Sequence, residues 1–214
     1  VNTLIICSAC LLLVWLLYAE RKTLVRSVII SKTALSSLFI FAAVVQPHAD
    51  PAYYHYLLAG LLLCLAGDVL LALPQNLFLF GLVSFLFGHI FYIIAFFYAA
   101  RSGNWTYWGA LITGTVSVSA FFWLRPHLGR MTAPVLLYIL VITAMMCGAW
   151  SILGDDGIPI KGKAAIFVGA TSFYFSDIFV ARDRFLKKEF INRLAGLPLY
   201  YVGQFLLAFS AGLV

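Results

Sequence analysis

Charge is what this 214-residue sequence has least of: 10% of its residues are charged and 64% are hydrophobic. A soluble domain carries about 25% charged residues, so charges this few cannot clothe a water-facing surface. The bilayer is the expected solvent for most of this chain. The same scarcity argues against a disordered chain or a nucleic-acid binder. Cysteine is also sparse. Cys7, Cys10, Cys64 and Cys147 all lie in apolar runs, and Cys7 and Cys10 stand three apart with no His or acid nearby. They read as small apolar residues, neither a disulfide framework nor metal ligands. GxSxG and HExxH are absent, and no helical Cys–His pairing supports a nucleophile. Of the four histidines only His89 falls at membrane depth, since His48, His55 and His127 lie in or near loops. A closed zinc site is therefore not expected, and no cofactor is called for.

Long apolar runs, by contrast, are abundant. A span takes about 20 mostly apolar residues, and eight candidates stand out: 2–19, 26–45, 53–73, 77–99, 105–124, 131–153, 161–181 and 193–214. The expected fold is all-α, a polytopic membrane bundle of eight transmembrane helices forming a single domain over residues 1–214. Breakers separate the runs at Gln46-Pro47, Pro74-Gln75-Asn76, Ser102-Gly103-Asn104, Arg125-Pro126 and 154–159. The first run has no basic flank before it and no small-residue cleavage site, so it reads as a span and not as a cleavable leader.

The net charge of +6 reads as topology information. Arg21, Lys22 and Arg26, then Arg125 and Arg130, then Arg182, Arg184, Lys187, Lys188 and Arg193 fall in the first, fifth and seventh loops. Only Arg101, Lys161 and Lys163 fall on the other side. The positive-inside rule puts the odd loops in the cytoplasm and both termini outside, with a bacterial inner membrane as the expected location. The basic seventh loop reads first as a face toward anionic lipid.

Ionisable groups in hydrocarbon cost several kcal/mol unless paired or wet, so each is a functional candidate. Lys32, Asp68, His89 and Asp177 are the ones at depth. At about 1.5 Å of rise per residue, Lys32 and Asp68 lie roughly 9 Å from the cytoplasmic ends of their spans, and Asp177 roughly 7–8 Å. Three charged groups on three helices thus share one level. His89 and Gln204 lie deeper, at roughly 18 and 16 Å, while Tyr138, Tyr200 and Tyr201 fall at a depth comparable to that of the three charges. A plain ion pair between Asp68 and Lys32 is the bland alternative; two acids and a base at one level argue for more. The sequence also echoes itself. Gly67-Asp68-Val69-Leu70-Leu71-Ala72 resembles Ser176-Asp177-Ile178-Phe179-Val180-Ala181, and Gly88-His89 matches Gly203-Gln204. This pattern suggests two parallel four-helix halves, with the two aspartates facing each other across the pseudo-axis.

These residues carry a family resemblance. Gly67 through Leu71 with Leu73-Pro74, then Phe80-Gly81-Leu82, Ser84-Phe85 and Gly88-His89-Ile90-Phe91-Tyr92, resemble the YhhN-type lysoplasmalogenase family of membrane hydrolases. So do Phe173 through Asp177 with Ala181 and Arg184-Phe185, and Tyr200-Tyr201 with Gln204. Lys32 sits where the family has Lys-Pro, but Thr33 replaces the proline. The resemblance covers essentially the whole chain. It implies hydrolysis of the vinyl-ether bond of lysoplasmalogens to a fatty aldehyde and glycerophosphocholine or glycerophosphoethanolamine, with a lysophospholipid as substrate and membrane lipids as surroundings. Such cleavage needs one acid that keeps its proton and one carboxylate, and close acids can share that division. Asp68 and Asp177 are the expected catalytic pair. Lys32 would tune them or grip the lipid phosphate. Tyr138, Tyr200, Tyr201 and Gln204 would order water or headgroup, and His89 would support the site from below. The rival expectation is a proton-coupled transporter. The two differ in shape: a hydrolase needs one lipid-open pocket, a carrier a path reaching both faces.

Overall fold

The computed structural model describes residues 1–48, 50–73 and 77–214; the turn expected at Pro74-Gln75-Asn76 lies outside these. The described residues are overwhelmingly α-helical and include no strand. The α-helices are α1 (Asn2–Arg21), α2 (Val25–Val44), α3 (Pro51–Ala72), α4 (Phe78–Ala99), α5 (Asn104–Leu128), α6 (Thr132–Gly154), α7 (Ile160–Ala181) and α8 (Phe190–Ser210). Six helical segments are long and apolar enough to cross a membrane: α1, α2, α3, α4, the stretch Asn104–Gly154 that holds α5 and α6, and Ile160–Leu186. Helix α8 carries Asn192, Arg193, Pro198 and Gln204 and is not among the six.

Local chemistry sets several of the ends. The Asp50 carboxylate accepts hydrogen bonds from the Ala52 and Tyr53 amides at 2.9 and 3.0 Å, and Pro51 occupies the first helical position, a pairing that starts α3. The break expected at Arg125-Pro126 does not occur there. Pro126 sits inside α5, and the chain turns at Gly129, whose φ is +52°. Proline removes one donor and strains one turn, whereas a left-handed residue reverses the backbone path. A 3-10 turn, Gly129–Met131, then leads into α6. Beyond α7 the chain makes one π-helical turn, Arg182–Leu186.

Three basic loops gather at one end of the bundle. Glu20 at the end of α1 lies 3.8 Å from Arg193 at the start of α8. Leu124, Leu128 and Val135 around the α5–α6 turn pack with Phe185 and Leu186 of the π turn. The expected first, fifth and seventh loops are thus neighbours in space.

Two helix pairs cross with backbones in near contact. A Cβ at Gly60 of α3 would stand 3.0 Å from the Gly88 carbonyl oxygen of α4, and one at Gly88 would stand 3.1 Å from that of Gly60. A Cβ at Gly203 of α8 would stand 2.8 Å from the Gly169 oxygen of α7, and the reverse distance is 3.1 Å. Small residues let helices approach this closely where lipid supplies no hydrophobic drive. Gly60 and Gly169 lie eight residues before Asp68 and Asp177, and Gly88 and Gly203 directly precede His89 and Gln204. The crossings therefore set the relative height of those side chains. Replacing Gly203 by Val places a methine against a backbone carbonyl that no rotamer change can move. It should lower stability in detergent by on the order of 1–3 kcal/mol, read as a lower thermal midpoint. Gly114→Ala in α5, with open space around it, should leave that midpoint unchanged or raise it slightly.

Candidate functional site

On α2, Lys32 and Ser36 stand one turn apart and point the same way. Both reach Asp68 of α3. The Lys32 ammonium lies 3.6 Å from Asp68 Oδ1, and the Ser36 hydroxyl donates to Oδ2 at 2.6 Å. From α8 the Tyr200 hydroxyl donates to the same oxygen, also at 2.6 Å. Gln204, one turn along α8, donates to the Tyr200 hydroxyl at 3.3 Å and accepts from Tyr92 of α4 at 2.7 Å. Asp68 is 2% exposed and Lys32 5%, so a charge in this position depends on these donors for its solvation.

Asp177 of α7 has a different environment. Its Oδ2 accepts from the Tyr138 hydroxyl of α6 at 2.6 Å, and no cation pairs with it among the described residues. Its other oxygen has no hydrogen bond there. Nor does a hydrogen bond join the two aspartates: each has its own donors. Tyr174, three residues before Asp177 on the same face, is hydrogen-bonded to Ser117 of α5 at 2.7 Å, and Ser117 to Thr143 of α6 at 2.6 Å.

Both carboxylates line one cavity of about 610 Å³, within the range of small-molecule pockets. Its floor holds Lys32, Asp68, Tyr138, Asp177 and Tyr200. Its walls are apolar, with Leu82, Phe85, Leu124, Ile139, Ile142 and Phe179 among them, and its mouth holds Asp183, Arg184, Lys188, Asn192 and Arg193. The cavity thus runs from the basic loops inward, and its lining includes no residue from the opposite end of the bundle.

Three expected site residues lie behind this wall. Gln204 reaches the cavity only through Tyr200. The Tyr201 ring packs 4.9 Å from that of Tyr200, and its buried hydroxyl has no hydrogen-bond partner among the described residues. His89 Nδ1 donates to the Phe85 carbonyl of its own helix at 2.7 Å, which leaves Nε2 as a buried acceptor without a partner among those residues. The imidazole stands edge-on to Tyr138 at 5.3 Å and packs against Phe173 at 4.7 Å, so it braces the tyrosine that serves Asp177. No three His, Cys, Asp or Glu side chains converge among the described residues. Lys32 lines the cavity floor with its ammonium 3.6 Å from the Asp68 carboxylate. Ser36, Tyr92, Ser117 and Tyr174 were not expected. Ser36 was within reach of sequence reasoning, since it follows Lys32 by one turn, as was Tyr174, which precedes Asp177 by three.

At the mouth most charges are already matched. Arg182 bonds Glu189 at 2.7 Å and also Asn192. Lys187 meets Glu189 at 2.6 Å. Arg193 bonds Asp183 at 2.9 Å, and Asn192 donates to Asp183 at 3.2 Å and to the Lys187 carbonyl at 2.8 Å. Hydrogen bonds from Lys187 and then Arg182 hold the Glu189 carboxyl below its usual range.

The described residues thus form a helical bundle with apolar spans and one polar-floored cavity that opens among its basic loops. The YhhN family profile matches residues 27–211, and the chain belongs to the YhhN family. A Mycobacterium tuberculosis protein named lysoplasmalogenase is 34% identical over 179 residues, 79% of this chain and 63% of that protein. The mouse lysoplasmalogenase TMEM86B is 31% identical over 187 residues, 86% of this chain and 75% of its own length. The rat protein of that name is 32% identical over 176 residues, 81% of this chain and 68% of its own. The chain therefore spans a little under two thirds of the mycobacterial relative. No solved structure matches it.

Removing the Lys32 charge leaves a buried carboxylate with two hydroxyls and no cation. Lys32→Met should destabilise the protein by about 3–5 kcal/mol, measured by unfolding in detergent. Lys32→Met combined with Asp68→Asn should recover a large part of that loss; a fully additive double variant would mean the two groups are not coupled.

Proposed function

We propose that this protein is a lysoplasmalogenase, hydrolysing the vinyl-ether bond of lysoplasmalogens within the membrane. The observation that carries the reading is the cavity. It offers apolar walls to an alkenyl chain, a charged mouth to a headgroup, and two carboxylates of unlike surroundings at its floor. The names of the mycobacterial and rodent relatives agree with it.

The chemistry follows from the bond. A proton added to the alkene carbon remote from oxygen produces an oxocarbenium ion, and water adds to the carbon bearing the oxygen. The hemiacetal collapses to a fatty aldehyde and a glycerophospho-alcohol, so one water is consumed and the proton is returned. Asp68, with an ammonium and two hydroxyl donors, is suited to remain ionised and to offset the positive charge of that intermediate. Asp177 has one donor on Oδ2 and an Oδ1 without a hydrogen bond, which suits it to carry and deliver the proton. Tyr138 would keep the unprotonated oxygen engaged and so orient the other toward the substrate. The products would be the aldehyde with glycerophosphocholine or glycerophosphoethanolamine.

The same reading includes eight membrane crossings in two parallel four-helix halves. Exchanging α1–α4 for α5–α8 converts the α4–α6 contact into the α8–α2 contact, and both contacts exist. It also maps the Gly60–Gly88 crossing onto Gly169–Gly203, and the α2 donors of Asp68 onto the α6 donor of Asp177. The basic loops would face the cytoplasm of a bacterial inner membrane, with both termini outside.

Asp177→Asn should lower kcat for aldehyde release by at least about 100-fold. Asp68→Asn should lower it by a similar factor, because the intermediate loses its counter-charge. Aldehyde release from purified variants, checked for folding by thermal midpoint, is the measurement. Full turnover by either folded variant would remove that aspartate from the chemistry.

A further inference from the structure

Five basic side chains belong to the segment between α7 and the start of α8: Arg182, Arg184, Lys187, Lys188 and Arg193. Three have carboxylate partners: Arg182 and Lys187 share Glu189, and Arg193 pairs with Asp183 and Glu20. Arg184 and Lys188 have none among the described residues, and both line the cavity mouth. They stand four apart in sequence, at the π turn and just past it. The Arg184 guanidinium lies 4.4 Å over the Phe78 ring, also a cavity residue. Stacking of this kind holds the planar group in place while leaving its edge donors available.

We propose that Arg184 and Lys188 form a phosphodiester subsite that seats the substrate headgroup and sets the register of the vinyl ether against Asp177. This rests on the lysoplasmalogenase reading of the same cavity. The spacing suits it. Arg184 lies seven residues beyond Asp177, about 10 Å of helical rise, which its long side chain can shorten. In a lysoplasmalogen the glycerol carbons separate the ether oxygen from the phosphorus by roughly 6 Å. A phosphate at the two cations therefore leaves the alkenyl bond near the carboxylates, with the hydrocarbon chain against the apolar walls. Arginine suits a phosphate by its fork of donors, lysine as a mobile point charge. Lys32 is committed to Asp68, so the phosphate is assigned to the mouth and not to the floor.

The test compares lysoplasmalogen with 1-O-alkenylglycerol, which has the same scissile bond and no phosphate. In the R184Q/K188Q variant, KM for the lysoplasmalogen should rise at least about tenfold, while kcat/KM for the alkenylglycerol stays at its wild-type value. The R184K/K188R variant should regain most of the lysoplasmalogen KM. An unchanged ratio of the two kcat/KM values in R184Q/K188Q overturns the subsite. Binding of the non-cleavable 1-O-alkyl lysophospholipid to detergent-purified protein separates this from the parent reading. If wild type turns over neither substrate yet binds that lipid at least about tenfold more tightly than R184Q/K188Q, the subsite stands and the hydrolase reading falls. If the variant binds it like wild type and loses only its hold on anionic diacyl vesicles, the cations serve bulk bilayer phosphates and the subsite is wrong.

Discussion

The Asp68 carboxylate, held by Lys32, Ser36 and Tyr200, is the constraint around which the rest of the site is arranged. An isolated charge at this depth would be prohibitively costly. Its partners come from two other helices, and satisfying it draws α2 and α8 onto α3. The Tyr200 hydroxyl is in turn tied to Gln204, and Gln204 to Tyr92 on α4. A single acid thus links four helices through one connected set of hydrogen bonds. Partly satisfied networks are costly in low dielectric, while complete ones specify a unique arrangement. The floor of the cavity is polar because this network ends there.

Asp177 sits outside that network. It has one hydroxyl donor and an open oxygen beside the cavity. The two acids are comparable in sequence, each eight residues past a glycine at a close helix crossing. They differ in what the neighbouring helix brings: α2 supplies a lysine and a serine, whereas α6 supplies a tyrosine. Asp68 also has Tyr200 of α8, whereas no side chain of α4 hydrogen-bonds Asp177 among the described residues; on the proposed mechanism these differences separate a resident carboxylate from a proton donor.

Much of this arrangement was legible in the sequence because membrane depth is a one-dimensional property. Counting residues from the expected cytoplasmic span ends put Lys32, Asp68 and Asp177 at one level, and scarcity of charge made them conspicuous. Lateral placement was less accessible. Tyr201 shares the depth of Tyr200 but lies behind it, because helix rotation decides which tyrosine meets the cavity, and Gln204, one turn along α8, reaches the cavity only through Tyr200. His89, expected to support the site from below, bonds its own helix and packs edge-on against Tyr138. Pro126 resembled a helix end because proline breaks helices; it lies instead in the last turn of α5, and the chain turns at Gly129. Arg184 and Lys188 were submerged in a run of like residues. Only the pairing of their neighbours with Glu189, Asp183 and Glu20 sets them apart.

The proposed hydrolysis turns on a proton delivered to carbon, and that event leaves a mark in the product. Purified protein should be given lysoplasmalogen in deuterated water, with the aldehyde trapped as it forms and analysed by mass spectrometry. The expected product is fatty aldehyde with one deuterium on the carbon next to the carbonyl. Absence of aldehyde, or enzymatic aldehyde without that deuterium, would contradict it.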